Sequence, residues 1–186
     1  MTEKSINSEI TRFSKIVENY RHIFEEIVIP AKTVLLHEGE TSQQIFFVKH
    51  GALRLWANRD GTDITFRFCF ENEVASSFLG NEPSMFTIES IENSTVMAVK
   101  IKDFMLLLDE IPEHKNALIT VLIRRLNDYG KLFLSRITKN PEERYLEMMN
   151  SHPEIFLRVP QHYIATYLGI TPVSLSRIRN RAAKTK

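Results

Sequence analysis

Residues 161–181 carry the side chains best suited to a chemical task. Val173, Ser174, Ser176, Arg177, Asn180 and Arg181 fall on the outer face of a predicted helix that starts at Thr171-Pro172. Guanidinium groups reach guanine edges and phosphate oxygens, and short polar side chains reach bases or backbone. Gln161, Thr171 and Pro172 complete the candidate DNA-binding set. Arg177, one turn in from the helix start, is the candidate for reading bases, and Arg181, a turn further on, for holding a phosphate. Charge points the same way. Residues 158–186 hold six Lys/Arg and no acid, which leaves 18 basic against 23 acidic residues, a net −5, in the rest of a chain whose total is +1. A basic end on an acidic body implies two parts with different partners.

Such a face needs a scaffold. Ile164, Ala165, Leu168, Gly169, Ile170, Leu175 and Ile178 stand at the positions a helix-turn-helix restricts. Ala165 is small enough for a close helix crossing, Gly169 accepts the positive φ of the turn, and the aliphatic residues fill the wedge. Thr171 can cap the second helix, with Pro172 as its first residue.

Other chemistry finds little support. The single cysteine, Cys69, forms no internal disulfide and rules out thiolate-rich metal or cluster sites within one chain. The six histidines contain no His-x-His pair, and no nucleophile–base motif or glycine-rich phosphate loop is present. The expectation is a protein with no enzymatic activity, no cofactor and no bound metal. No apolar run reaches membrane-spanning length, and the N-terminus lacks the order of a signal peptide, so a cytoplasmic protein is expected.

The 160 residues before it must present this unit. Ile10, Phe13, Ile16, Val17, Tyr20 and Phe24 have helical spacing over residues 8–25. Short β-branched and aromatic runs follow at residues 33–36, 45–49, 52–57, 63–70 and 94–101, separated by turn signals such as His50-Gly51 and Asp60-Gly61. They predict a small sandwich or barrel. Ile64, Phe66, Phe68 and Phe70 alternate with polar or small residues as in a half-buried strand. Helical spacing returns at residues 103–109, and from Pro112 to about residue 137. That long helix carries Ile119, Leu122, Leu126, Tyr129 and Phe133 at steps of three and four, a seam that predicts a homodimer. Asn140-Pro141-Glu142-Glu143 reads as a capping box that opens the next helix. The expected division is residues 1–139 as an effector-type domain with its dimerisation helix, and 140–186 as the DNA-binding domain.

The whole chain resembles the Crp/Fnr superfamily of bacterial transcription regulators, in its short Bacteroidetes-type form. The resemblance runs over about residues 20–181. It rests on His37-Glu38-Gly39-Glu40, Ile45-Phe46-Phe47-Val48-Lys49-His50-Gly51, Phe104 in a short helix, the long helix, and the stretch from Tyr163 to Pro172. It implies an α+β chain: an N-terminal double-stranded β-roll of the cyclic nucleotide-binding kind, a long dimerisation helix, and a C-terminal all-α helix-turn-helix. The implied function is sequence-specific DNA binding as a homodimer. The partners expected are double-stranded DNA, RNA polymerase and an unidentified small-molecule effector, with no membrane. The alternative is a β-roll that binds a small molecule or partner without regulating DNA.

Departures from the family pattern limit what carries over. Where family members hold a cyclic nucleotide with a Gly-Glu pair and a later Arg, this chain has Ser76, Ser77 and Thr87. Residues 68–99 contain five Glu and no Lys or Arg, which is hostile to an anion. Cyclic AMP is therefore not the expected ligand. The candidate effector pocket comprises Phe66, Phe68, Ser76, Ser77, Phe78 and Thr87. Its aromatic residues, with Met85 and Phe86, either line a site for an apolar or neutral ligand or fill the core. The usual Arg-Glu pair at the start of the recognition helix is replaced by Pro172-Val173.

Overall fold

The computed structural model describes residues 16–77 and 82–184, with side chains through Ala182. Phe78 lies outside the described residues. A short 3-10 turn, Arg21–Ile23, leads into eight strands: β1 (Phe24–Ile29), β2 (Val34–Leu36), β3 (Gln44–His50), β4 (Leu53–Arg59), β5 (Thr62–Cys69), β6 (Val74–Ala75), β7 (Thr87–Ser90) and β8 (Ser94–Lys100). Six helices follow: α1 (Ile101–Glu110), α2 (Pro112–Thr138), α3 (Pro141–Ser151), α4 (Ile155–Arg158), α5 (Gln161–Leu168) and α6 (Pro172–Lys184).

The strands form two four-stranded sheets, ordered β1-β8-β3-β6 and β2-β7-β4-β5. This is the expected β-roll. In the first sheet β3 and β8 are the inner strands, and Ile45, Phe46, Phe47 and Val48 are all buried. A strand covered on both faces reads as a continuous apolar run rather than an alternation. Phe104 of α1 closes the core, with its ring 6.0 Å from that of Phe47, which meets Phe24 at 5.5 Å. The bend after β3 depends on Gly51 (φ +94°), because a Cβ there would lie 2.7 Å from the Ser94 backbone. Asp60 and Gly61 both take positive φ, the conformation that closes a two-residue hairpin between β4 and β5.

Three strand expectations need correction. The helical reading of residues 8–25 overruns its end: Phe24 opens β1, which pairs with β8 from Phe24↔Val99 to Ile29↔Ser94. Residues 8–15 lie outside the described residues. β6 and β7 were not expected. In β5 the apolar set does not simply face inward: Thr65 and Cys69 are fully buried, while Ile64 is 40% exposed. Both faces of this strand are partly covered, and buried Thr65 finds a polar partner in Thr166.

Contacts divide the chain into two compact units. One gathers residues up to Ala57 with Arg67–Leu122. The other gathers Asn58–Phe66 with Ile123–Lys186. Along α2 the contact grouping changes after Leu122, and Arg136 in its second half bonds to the carbonyl of Tyr167 in α5. At 27 residues α2 is about 40 Å long. Among the described residues no helix is long and apolar enough to cross a membrane.

Candidate nucleic-acid interface

Helix α5 ends at Gly169 in the left-handed conformation (φ +68°, ψ +36°), whose N–H turns back to Ala165 O and Thr166 O. Helix α6 begins two residues after that turn. Ile164, Ala165, Leu168, Leu175 and Ile178 are at most 4% exposed, so they form the wedge between the two helices. Ile170 is half-buried. Thr171 Oγ1 accepts the Ser174 N–H at 3.2 Å, the expected cap, and donates to Ser174 Oγ at 3.0 Å. This fixes the start of α6 and hence which residues point outward.

Gln161, Thr171, Pro172, Val173, Ser176, Arg177, Asn180 and Arg181 are all exposed, and Ser174 is half-buried. Helix α6 contains no acidic residue. One acid does reach this face: Glu142, from the first turn of α3, pairs with Arg181 at 2.9 Å. Sequence reading missed that pair because the two residues meet only once α3 and α6 are packed.

Two arginines anchor α5 from behind. Arg136 of α2 donates to Tyr167 O, and its guanidinium lies 5.9 Å from the centre of the Tyr167 ring. Arg144 of α3 donates to Leu168 O at 2.8 Å and to Lys139 O at 2.6 Å. The last carbonyls of a helix lack intrahelical partners and carry partial negative charge, so cations suit them. Burial pulls the Arg136 guanidinium below its ordinary pKa, with Tyr167 acting against this and the Arg144 cation adding to it. Burial pushes the Tyr167 phenol up. The capping box at Asn140 is complete: Asn140 Oδ1 accepts from Glu142 N and Glu143 N at 3.0 Å, and Glu143 Oε2 accepts the Asn140 N–H at 2.8 Å. At the hairpin end of β5, Thr65 Oγ1 lies 2.9 Å from Thr166 Oγ1, which is 3.0 Å from Tyr163 O. With the Thr166 proton on that carbonyl, Thr65 is the donor.

The candidate effector residues give a mixed outcome. Phe68, Ser77 and Thr87 are buried, while Phe66 and Ser76 are half-buried. Phe86 is buried and Met85 is 59% exposed. Ser76 donates to Ser77 O, and Thr87 Oγ1 accepts the Glu38 N–H at 3.1 Å. The structure adds a base that the sequence count over residues 68–99 did not include: Arg54 of β4 pairs with Glu89 of β7. Only the strand register brings these two together. A cleft of about 450 Å³ opens elsewhere, between Ile16 and Asn19 on one side and Glu113, His114, Asn116, Ala117 and Thr120 of α2 on the other.

The fold and site define a β-roll of the cyclic nucleotide-binding kind, followed by a long helix and a helix-turn-helix. Residues 26–110 match the cyclic nucleotide-binding domain family. The chain is 24% identical over 160 residues to the transcriptional activator protein FnrA of Stutzerimonas stutzeri, covering 79% of this chain and 66% of that protein, just under two thirds of its length. Among solved structures it superposes on a CooA variant from Carboxydothermus hydrogenoformans (TM-score 0.76, 19% identity, 92% of this chain and 84% of that one). FixK2 from Bradyrhizobium japonicum matches at TM-score 0.76 and 19% identity over 88% and 86% of the two chains. CLP from Xanthomonas campestris, a global regulator responsive to c-di-GMP, matches at TM-score 0.75 and 14% identity over 92% of each. The chain therefore shares a fold with these structures, and residues 26–110 carry the cyclic nucleotide-binding domain match.

Proposed function

We propose that this chain is a transcription regulator that binds double-stranded DNA as a homodimer. The observation that carries the reading is the exposed face of α6, a helix with no acidic residue of its own, on a capped, well-packed helix-turn-helix. In this reading residues 140–186 are the DNA-binding part. Arg177 reads a base, Arg181 holds a phosphate, and Gln161, Thr171, Pro172, Val173, Ser174, Ser176 and Asn180 line the contact. The FnrA relative and the named regulators of the same fold support it.

The dimer reading is supported by an uncovered apolar seam on α2. Ile119, Leu122, Leu126 and Phe133 are 49%, 52%, 71% and 65% exposed, and Tyr129 is half-buried. A seam this exposed on one helix matches the same seam on a second copy through a two-fold axis. Two recognition helices then enter successive major grooves. The protein acts in the cytoplasm, engages RNA polymerase at its promoters and carries out no catalysis itself. Ser76, Ser77 and Thr87 favour a roll that does not take cyclic AMP.

Footprinting on genomic fragments selected by the purified protein tests the reading. The expected result is a two-fold-symmetric protected site with half-sites about 34 Å apart. Equal affinity for every fragment would defeat it. Calorimetry should find no cyclic AMP binding in the low micromolar range.

A further inference from the structure

In the second compact unit, the exposed side of α2 carries Ile123, Leu126, Gly130, Phe133 and Ile137. Their steps of three, four, three and four residues draw one line along the helix, about 21 Å long. The four apolar side chains are each more than half exposed. Gly130 stands in the middle of that line, and a Cβ built on it would meet nothing within 4 Å among the described residues. It lies inside a regular helix, so neither the positive φ nor the crowding that requires glycine at Gly51 applies to it. Inside a helix, glycine is less favourable than alanine by about fivefold in the helix equilibrium. Nothing in the described fold of the single chain offsets that cost.

What does call for a glycine is a second backbone. Helix axes usually pack about 8–10 Å apart, and the side chains at the contact set that distance. Gly130 is the point on this line where another helix can come closest, with Leu126 and Phe133, a turn to either side, packing across the crossing. The helix that fits is a second copy of α2. Asn127, Tyr129 and Leu134 flank the line and carry no charge, while Asp128 and Lys131, which pair at 3.8 Å, lie off it by helical spacing. Two copies therefore meet along the line with no like charges opposed. We infer that the two copies of α2 cross at Gly130, where its backbone meets that of the partner's Gly130 at the two-fold axis. This rests on the homodimer reading and goes beyond it by fixing the point of closest contact.

Sedimentation of the full chain over a dilution series, comparing wild type with Gly130→Ala, tests the crossing. At an exposed helix position that touches nothing, alanine only strengthens the helix. At a crossing, its methyl groups force the two backbones apart. The dimer Kd of Gly130→Ala should therefore rise roughly tenfold or more, while the helical signal of the monomer at high dilution stays at or above that of wild type. Mild air oxidation of Gly130→Cys gives a second reading. A disulfide needs Cα atoms within about 7 Å of each other. This variant should run as a covalent dimer on a denaturing gel, whereas Lys131→Cys and wild type, whose Cys69 is buried, should not. A wild-type dimer that Gly130→Ala leaves as tight or makes tighter overturns the inference and leaves the dimer reading intact. So does a Gly130→Cys protein that cross-links no faster than Lys131→Cys. A wild type that stays monomeric overturns both.

Discussion

Arg177 and Arg181 lie four residues apart on α6, yet their surroundings differ. Arg177 projects from the exposed face, whereas Arg181 is paired with Glu142 at 2.9 Å. If Arg177 reads a base, Arg177→Ala should lose roughly 1–3 kcal/mol on the cognate site and relax preference at one position per half-site. Arg181→Ala should weaken cognate and random DNA alike and make the salt dependence shallower by about one unit per lost contact. Salt titrations on both DNAs separate the two roles. Equal losses on both DNAs for Arg177→Ala would reduce it to a phosphate contact. The Glu142 pair adds a further expectation. Both side chains are substantially exposed, so the pair is worth at most about 1 kcal/mol. Glu142→Gln should therefore tighten random-DNA binding by no more than about fivefold, read in the same titration. Unchanged binding would mean that Arg181 leaves Glu142 without cost, or touches no phosphate.

Helix ends are where local sequence chemistry acts most directly on this fold. Asn140→Ala removes the side-chain acceptor for two backbone N–H groups and should cost about 1 kcal/mol, measured by denaturant melting. The Tyr167 phenol gives a pH dependence. Its folded pKa is raised above the usual 10 by burial, so the folded state favours the neutral form. That contribution is fully present below pH 10 and is lost as pH rises through the raised value. Absorbance at 295 nm should show one tyrosine ionising late, together with loss of helical signal. Tyr167→Phe should remove that late step. These ends were legible in the sequence because caps and turns depend on neighbours a few residues apart: Asn140 with Glu143, Gly169 with Ala165, Thr171 with Ser174. The missed elements depend on distant partners. Phe24 continues a helical spacing and was read as helix, but the strand Phe24–Ile29 exists through β8, some 70 residues on. The four residues of β7, Thr87–Ser90, are all buried, yet three are polar, so no apolar alternation announces the strand. Arg54 lies between Leu53 and Leu55 and Glu89 between Ile88 and Ser90, and neither neighbourhood announces the pair that the register of β4 and β7 joins.

For the whole molecule, the main expectation is assembly. The seam on α2 leaves Ile119, Leu122, Leu126 and Phe133 about half exposed or more in the single chain. Sedimentation at micromolar concentration should give a dimer, and Leu122→Asp/Leu126→Asp should give a folded monomer, since burying two carboxylates in the seam costs several kcal/mol. A wild-type monomer would end the two-fold model of DNA recognition. Another consequence comes from how α5 is held. Arg136 and Arg144 grip the carbonyl oxygens of Tyr167 and Leu168, atoms that every amino acid supplies. Their hold is blind to which side chains α6 displays. Under the proposed DNA-binding reading, the address can therefore be rewritten while the mounting stays unchanged. Exchanging Val173, Ser176, Arg177 and Asn180 for another set would then give a route, in evolution or at the bench, to a new repertoire of targets on an old chassis.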